Sequence, residues 1–130
     1  MRQHEFELDV RWGDMDALGH VNNVVYLTYF ESARVDLIRG LGLSRKDGVA
    51  AVVAQANISY KLSAKYPAKL KVVTTISRFG NTSMTYHHSL QERDGSKIYC
   101  EAEVVVVWVG LESNQPASVP ESVKRWAAES

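Results

Sequence analysis

Residues 23–39, Asn23-Val24-Val25-Tyr26-Leu27-Thr28-Tyr29-Phe30-Glu31-Ser32-Ala33-Arg34-Val35-Asp36-Leu37-Ile38-Arg39, read as one long helix, with Asn22 or Asn23 as its N-cap. Thr28, Ser32, Asp36 and Arg39 recur at helical steps and form one polar stripe. Val24, Leu27, Tyr29, Phe30, Ala33, Val35, Leu37 and Ile38 make most of the remaining circumference apolar. A helix apolar on so many sides has to be enclosed by other elements. Gly40 and Gly42 supply C-terminal stops.

The chain on either side reads as strands that could do the enclosing. In front of the helix, Phe6, Leu8, Val10 and Trp12 alternate with polar residues, a period-2 pattern for a half-buried strand over Glu5–Trp12. Behind it, Ala54, Ala56, Ile58, Tyr60 and Leu62 alternate with polar residues in the clearest strand signal of the chain. After a turn at Tyr66-Pro67, further strands are expected over about 69–79, 82–93 and 97–109. Asp94-Gly95 predicts a hairpin with a type I′ turn. The last strand becomes continuously apolar from Val104 to Val109, as expected of a central strand covered on both faces. Val119-Pro120-Glu121 opens a short final helix. The order predicts an α+β domain in which an antiparallel sheet curls around one long helix.

The 130 residues suit a single domain, 1–130, and a core of this size folds without staples. Fifteen basic residues balance fifteen acidic ones, so no net charge draws the chain to nucleic acid or to an anionic membrane. The longest apolar run is too short to span a bilayer, and the N-terminus lacks a signal-peptide pattern. A soluble, cytoplasmic protein is the expectation. Cys100, the lone cysteine, lies in a strand pattern and is expected to be a small buried hydrophobe.

The chemistry concentrates in the loop entering the helix, Arg11-Trp12-Gly13-Asp14-Met15-Asp16-Ala17-Leu18-Gly19-His20-Val21-Asn22. Asp14-x-Asp16-x-x-Gly19 imitates the start of a calcium loop. The fifth and twelfth positions, however, are Leu18 and Val25, which cannot ligate calcium. Asp14, Asp16 and His20 lack a further ligand for zinc or iron, so no metal and no cofactor are expected. No serine sits in a nucleophile-elbow context, and the adjacent His87 and His88 must point to opposite faces of their strand. What survives is a carboxylate beside a helix N-terminus, whose free N–H groups and partial positive charge stabilise a carbonyl oxygen as it becomes an oxyanion. That pairing suits acyl transfer or hydrolysis.

The run Asp14-x-Asp16-x-x-Gly19-His20-Val21-Asn22-Asn23-x-x-Tyr26-x-x-Tyr29-x-Glu31-x-Ala33-Arg34 resembles the motif of hotdog-fold acyl-CoA thioesterases, in the 4-hydroxybenzoyl-CoA thioesterase-like family. Tyr60 with Tyr66-Pro67, and Val119-Pro120-Glu121, are weaker echoes that extend the likeness along nearly the whole chain. The resemblance implies an antiparallel sheet wrapped around a central helix. It also implies homodimers joined at edge strands, often paired into homotetramers, with sites at the subunit interface. It places the catalytic carboxylate on Asp16 and the carbonyl-polarising backbone amide at Asn23. His20, Asn22 and Tyr26 are then pocket or positioning residues, and Asp14 holds the loop. The implied substrate is an acyl-CoA or acyl-carrier-protein thioester. The His20-Val21-Asn22-Asn23 run tilts it toward aliphatic acyl groups, with the apolar helix face lining the acyl tunnel. Two other readings compete: an acyl-thioester dehydratase or hydratase using His20, and a non-catalytic acyl-binding or assembly domain.

Overall fold

The computed structural model describes residues 2–129. The elements run β1 (His4–Asp9), α1 (Asn23–Gly40), β2 (Val49–Tyr60), β3 (Lys69–Ser77), β4 (Ser83–Glu92), β5 (Ile98–Gly110) and α2 (Glu121–Ala128). Short 3₁₀ turns lie at Trp12–Asp14 and Arg45–Asp47. The five strands form one antiparallel sheet in the order β1-β3-β4-β5-β2. The architecture is the α+β hotdog arrangement expected, a sheet packed around a long helix.

The inward row of each strand meets α1. Leu70, Val72, Thr74 and Ile76 of β3, Met84, Tyr86, His88 and Leu90 of β4, and Val104, Val106 and Trp108 of β5 are all buried. Against them α1 sets Tyr26, Tyr29, Phe30, Ala33 and Leu37, a single stripe at helical spacing. α2 adds Val123 and Trp126, with the Arg2 guanidinium 5.5 Å above the Trp126 ring. Cys100 is fully buried, and desolvation pushes its thiol up to about 11, which makes it inert packing.

Four local expectations are corrected. β1 ends at Asp9 rather than Trp12, because the chain turns where Asp14 Oδ2 accepts the Arg11 N–H at 2.9 Å. Trp12 is accordingly 73% exposed. The Asp94-Gly95 hairpin forms, but only Gly95 has positive φ, at 81°. Its N–H bonds the Glu92 carbonyl, so Arg93 and Asp94 make the turn and Gly95 follows it. That is a longer hairpin loop than type I′. β5 lies inside the sheet, yet Val105, Val107 and Val109 on its outer face are only half-buried. One face of the sheet packs on α1, and among the described residues nothing seals the other completely.

The fourth correction concerns enclosure. Val24, Leu27 and Val35 of α1 are exposed, at 66%, 40% and 42%. β2, at the sheet edge, is half-buried at only three positions, so its alternation of apolar and polar residues does not correspond to an inside and an outside in one chain. A five-stranded sheet covers one side of the helix, and its last strand has a neighbour on one side only. The two sheet edges differ in character. β1 carries Glu5, Glu7 and Asp9, tied to Lys71, Arg93 and Lys69. β2 reads Val-Ala-Ala-Val-Val-Ala-Gln-Ala-Asn-Ile-Ser-Tyr, with no charge or proline to blunt it.

Candidate active site

The loop before α1 is closed onto itself and onto the helix. Met15 bridges Val21, the Asp16 N–H donates to the His20 carbonyl at 3.0 Å, and the Gly19 N–H donates to the Asp16 carbonyl at 3.0 Å. Gly19 sits at φ 80°, a conformation that costs other residues more. The Val21 N–H reaches the Ala64 carbonyl at 2.9 Å, which fastens the loop to the segment after β2.

The two acids have different surroundings. Asp14 is 4% exposed. Its Oδ2 accepts the Tyr29 hydroxyl at 2.6 Å and the Arg11 N–H at 2.9 Å, and its Oδ1 accepts the Arg11 guanidinium at 3.1 Å. Burial alone would raise this carboxyl, but these bonds outweigh it and hold Asp14 below the usual carboxylate range. Its backbone carbonyl also takes the Asn22 N–H at 3.0 Å. Asp14 therefore ties the turn after β1 to α1 and to its cap, and its carboxylate is fully engaged inside the protein. Asp16 is exposed, and one oxygen accepts the Leu18 N–H at 2.9 Å. The other oxygen has no hydrogen-bond partner among the described residues.

At the helix start, Asn22 is the N-cap, with its side-chain oxygen accepting the Val24 N–H at 3.0 Å. The Val25 N–H turns back to the Asn22 carbonyl at 2.8 Å. The Asn23 N–H, at the first helical position, meets no acceptor among the described residues. Tyr60, at the end of β2, donates its hydroxyl to the Asn23 carbonyl at 3.2 Å and packs edge-on against Tyr26 at 5.4 Å. Tyr26 is 2% exposed, and its hydroxyl accepts the Ala64 N–H at 3.0 Å, so it faces inward as a support for the helix tip. His20 is half-exposed on the loop and lends its carbonyl to Asp16. Asp16, His20, Asn22 and Asn23 thus cluster at one helix tip with Tyr26 beneath them. Among the described residues no group of three or more His, Cys, Asp or Glu is arranged to hold a metal, and no helix is long and apolar enough to cross a membrane.

The family model of the thioesterase-like superfamily matches residues 10–127. The chain belongs to that superfamily. Among solved structures, the PA2801 protein of Pseudomonas aeruginosa superposes with a TM-score of 0.90 at 34% identity, over 96% of this chain and 98% of that one. The acyl-CoA thioester hydrolase YbgC of Escherichia coli O157:H7 is 28% identical over 118 residues, 88% of this chain and 87% of that protein. The chloroplast acyl-acyl carrier protein thioesterase ATL3 of Arabidopsis thaliana is 24% identical over 125 residues, 93% of this chain and 65% of that protein. The likeness of the 14–34 motif to hotdog acyl-CoA thioesterases is thereby borne out, and the chain is an acyl-CoA thioesterase of that superfamily.

Two arrangements carried no signal in the sequence pattern. One is a buried polar line between sheet and helix. His88 Nδ1 is 2.8 Å from Thr74 Oγ1, and the Arg34 guanidinium lies 3.3 Å from His88 Nε2. Because Arg34 only donates, Nε2 must be the acceptor and Nδ1 must carry the proton toward Thr74. Burial, and then the nearby cations, push His88 down to about 3, so the ring is neutral. It stacks between Phe30 and Tyr86. The other is a cavity of about 520 Å³ between the second half of α1 and the start of β2. None of Asp16, His20, Asn22, Asn23 or Tyr26 lines it. Both arrangements depend on residues far apart in the chain, which no local spacing encodes.

Proposed function

We propose that the protein hydrolyses acyl-CoA or related acyl thioesters, with Asp16 supplying the carboxylate and the Asn23 N–H polarising the thioester carbonyl. The observation that carries this reading is the asymmetry of the pair: Asp14 is spent on Tyr29 and Arg11, whereas Asp16 stands exposed at the tip of α1. By one route Asp16 attacks the carbonyl carbon, the C–S bond breaks, and the thiolate leaves and takes a proton from water. A second water then cleaves the mixed anhydride to acid and regenerated Asp16. By the other route Asp16 takes a proton from water as the hydroxide adds. The tetrahedral oxyanion then collapses, and the departing thiolate is protonated. In both, negative charge grows on the carbonyl oxygen, where the Asn23 N–H and the helix dipole stabilise it. Thiolate is a good enough leaving group to need no dedicated acid.

We further propose that two copies pair along β2. A long, uncharged, exposed edge offers a row of unpaired N–H and C=O groups to a second strand. Pairing there would also bring cover to Val24, Leu27 and Val35 of α1. Two-fold antiparallel pairing sets the Tyr60 end of one β2 beside the Val49 end of the other. Each helix tip then lies against the partner's cavity, and the active site is shared.

Asp16→Asn tests the assignment. It should leave the circular-dichroism spectrum and melting temperature near wild type and lower thiol release from acyl-CoAs by a factor of about 10³ or more, the scale of losing an essential nucleophile or base. Near-wild-type turnover would remove Asp16 from the chemistry.

A further inference from the structure

The cavity beside β2 has apolar walls from Val35, Ile38, Val106 and Trp108, and Arg34 projects into it from mid-helix. The Arg34 guanidinium has no carboxylate within 4 Å among the described residues. Its contacts are the neutral His88 ring nitrogen at 3.3 Å and the Tyr86 ring, 5.8 Å from its centroid. Glu31, one turn earlier on the same helix, lies near without pairing. The rim adds Arg39 and Arg45 against Glu31 and Asp47, so cations outnumber acids around the cavity by three to two. A half-buried guanidinium with a fork of donors and apolar surroundings is a strong recognition element for a carboxylate, which it binds through two parallel hydrogen bonds.

We propose that this cavity receives the far end of the acyl group and that Arg34 selects substrates ending in a carboxylate, that is, ω-carboxyacyl thioesters. The inference rests on the thioesterase reading and on the β2-paired dimer. Within one chain Arg34 lies roughly 16 Å along the helix from Asn23, at 1.5 Å per residue. Antiparallel pairing of β2 instead lays the cavity beside the helix tip of the second copy. The acyl carbonyl then sits at one protomer's Asp16 while the chain runs into the other protomer's cavity. His88 has a supporting part. Its ring is held neutral and accepts one guanidinium N–H, which fixes the orientation of Arg34 without neutralising it. Arg34 is a specificity residue in this scheme and does not touch the reacting atoms.

The test compares acyl-CoAs of equal carbon number that differ at the far end, such as hexanoyl-CoA against adipoyl-CoA, across a series from four to eight carbons. Wild type should favour the ω-carboxyl member of at least one pair by tenfold or more in kcat/KM. Arg34→Gln should abolish that ratio while hydrolysis of the neutral member persists, and Arg34→Lys should restore part of it. A general loss of packing would lower both members together and leave the ratio unchanged. Hydrolysis without any ω-carboxyl preference in wild type overturns the inference and leaves the thioesterase reading intact. Absence of thiol release from every member would instead strike at that reading. Calorimetric titration with hexanoate and with hexan-1-ol then decides the cavity by itself. Tighter binding of hexanoate that Arg34→Gln removes supports a carboxylate site, and equal binding of the two overturns it.

Discussion

Asp14 and Asp16 stand two residues apart, and the fold gives them opposite fates. The Asp14 carboxylate joins the Tyr29 hydroxyl, the Arg11 N–H and the Arg11 guanidinium in a buried cluster. Asp14→Asn keeps the shape but loses charge-assisted bonds, and should destabilise the protein by about 2–3 kcal/mol. Chemical denaturation measures that loss. Turnover at saturating substrate should fall far less than in Asp16→Asn, and the reverse order would mean the wrong acid had been assigned. His88 gives a second residue-scale prediction. Its folded pKa is depressed to about 3, so the unfolded chain binds the proton first as pH falls below about 6.5. The stabilisation is present above that pH and is lost progressively as pH falls toward about 3, at up to about 1.4 kcal/mol per pH unit. His88→Gln should flatten this part of the stability–pH curve, as read by urea unfolding at successive pH values. An equally steep curve in the variant would assign the acid sensitivity to other groups.

At the scale of elements, β2 is the decisive strand. Its free edge is uncharged, whereas β1 at the opposite edge carries three acids held by lysines and an arginine. Val53 is 48% exposed near the middle of β2. Val53→Lys places a charge on the edge and should give a folded monomer where wild type gives a dimer or larger assembly, as measured by light scattering. Because the proposed site is shared, thiol release should fall with the dimer. Full activity in a proven monomer would return the site to one chain. The helix start is the most locally determined part of the site. An Asn22 cap, a turn through Gly19 and the Asn23 N–H all lie within five consecutive residues, which is why the motif exposes them to inspection.

At the scale of the whole molecule, sequence periodicity carried the element order, the long helix and the antiparallel sheet. It did so because helical and strand repeats are properties of neighbouring residues. It failed where burial depends on which strands pair. Alternation along 54–62 marks a strand, but the strand runs Val49–Tyr60, and with a neighbour on one side only it has no inside to match its pattern. The apolar run 104–109 marks an interior strand whose outer face is only half-covered. Trp12 fits a period-2 face and still ends outside it, because Asp14 turns the chain at Arg11. Residue order alone placed the helix, a cap at Asn22 or Asn23, and the acid-rich loop in front of it. Folding then commits Asp14 to a tyrosine fifteen residues away while Asp16 faces outward. The same packing leaves β2 as an open edge and brings Arg34 into a cavity where, among the described residues, it has no carboxylate partner. Local residue order sets backbone conformation, whereas the pairing of charges and the exposure of edges depend on contacts made only when distant segments pack together.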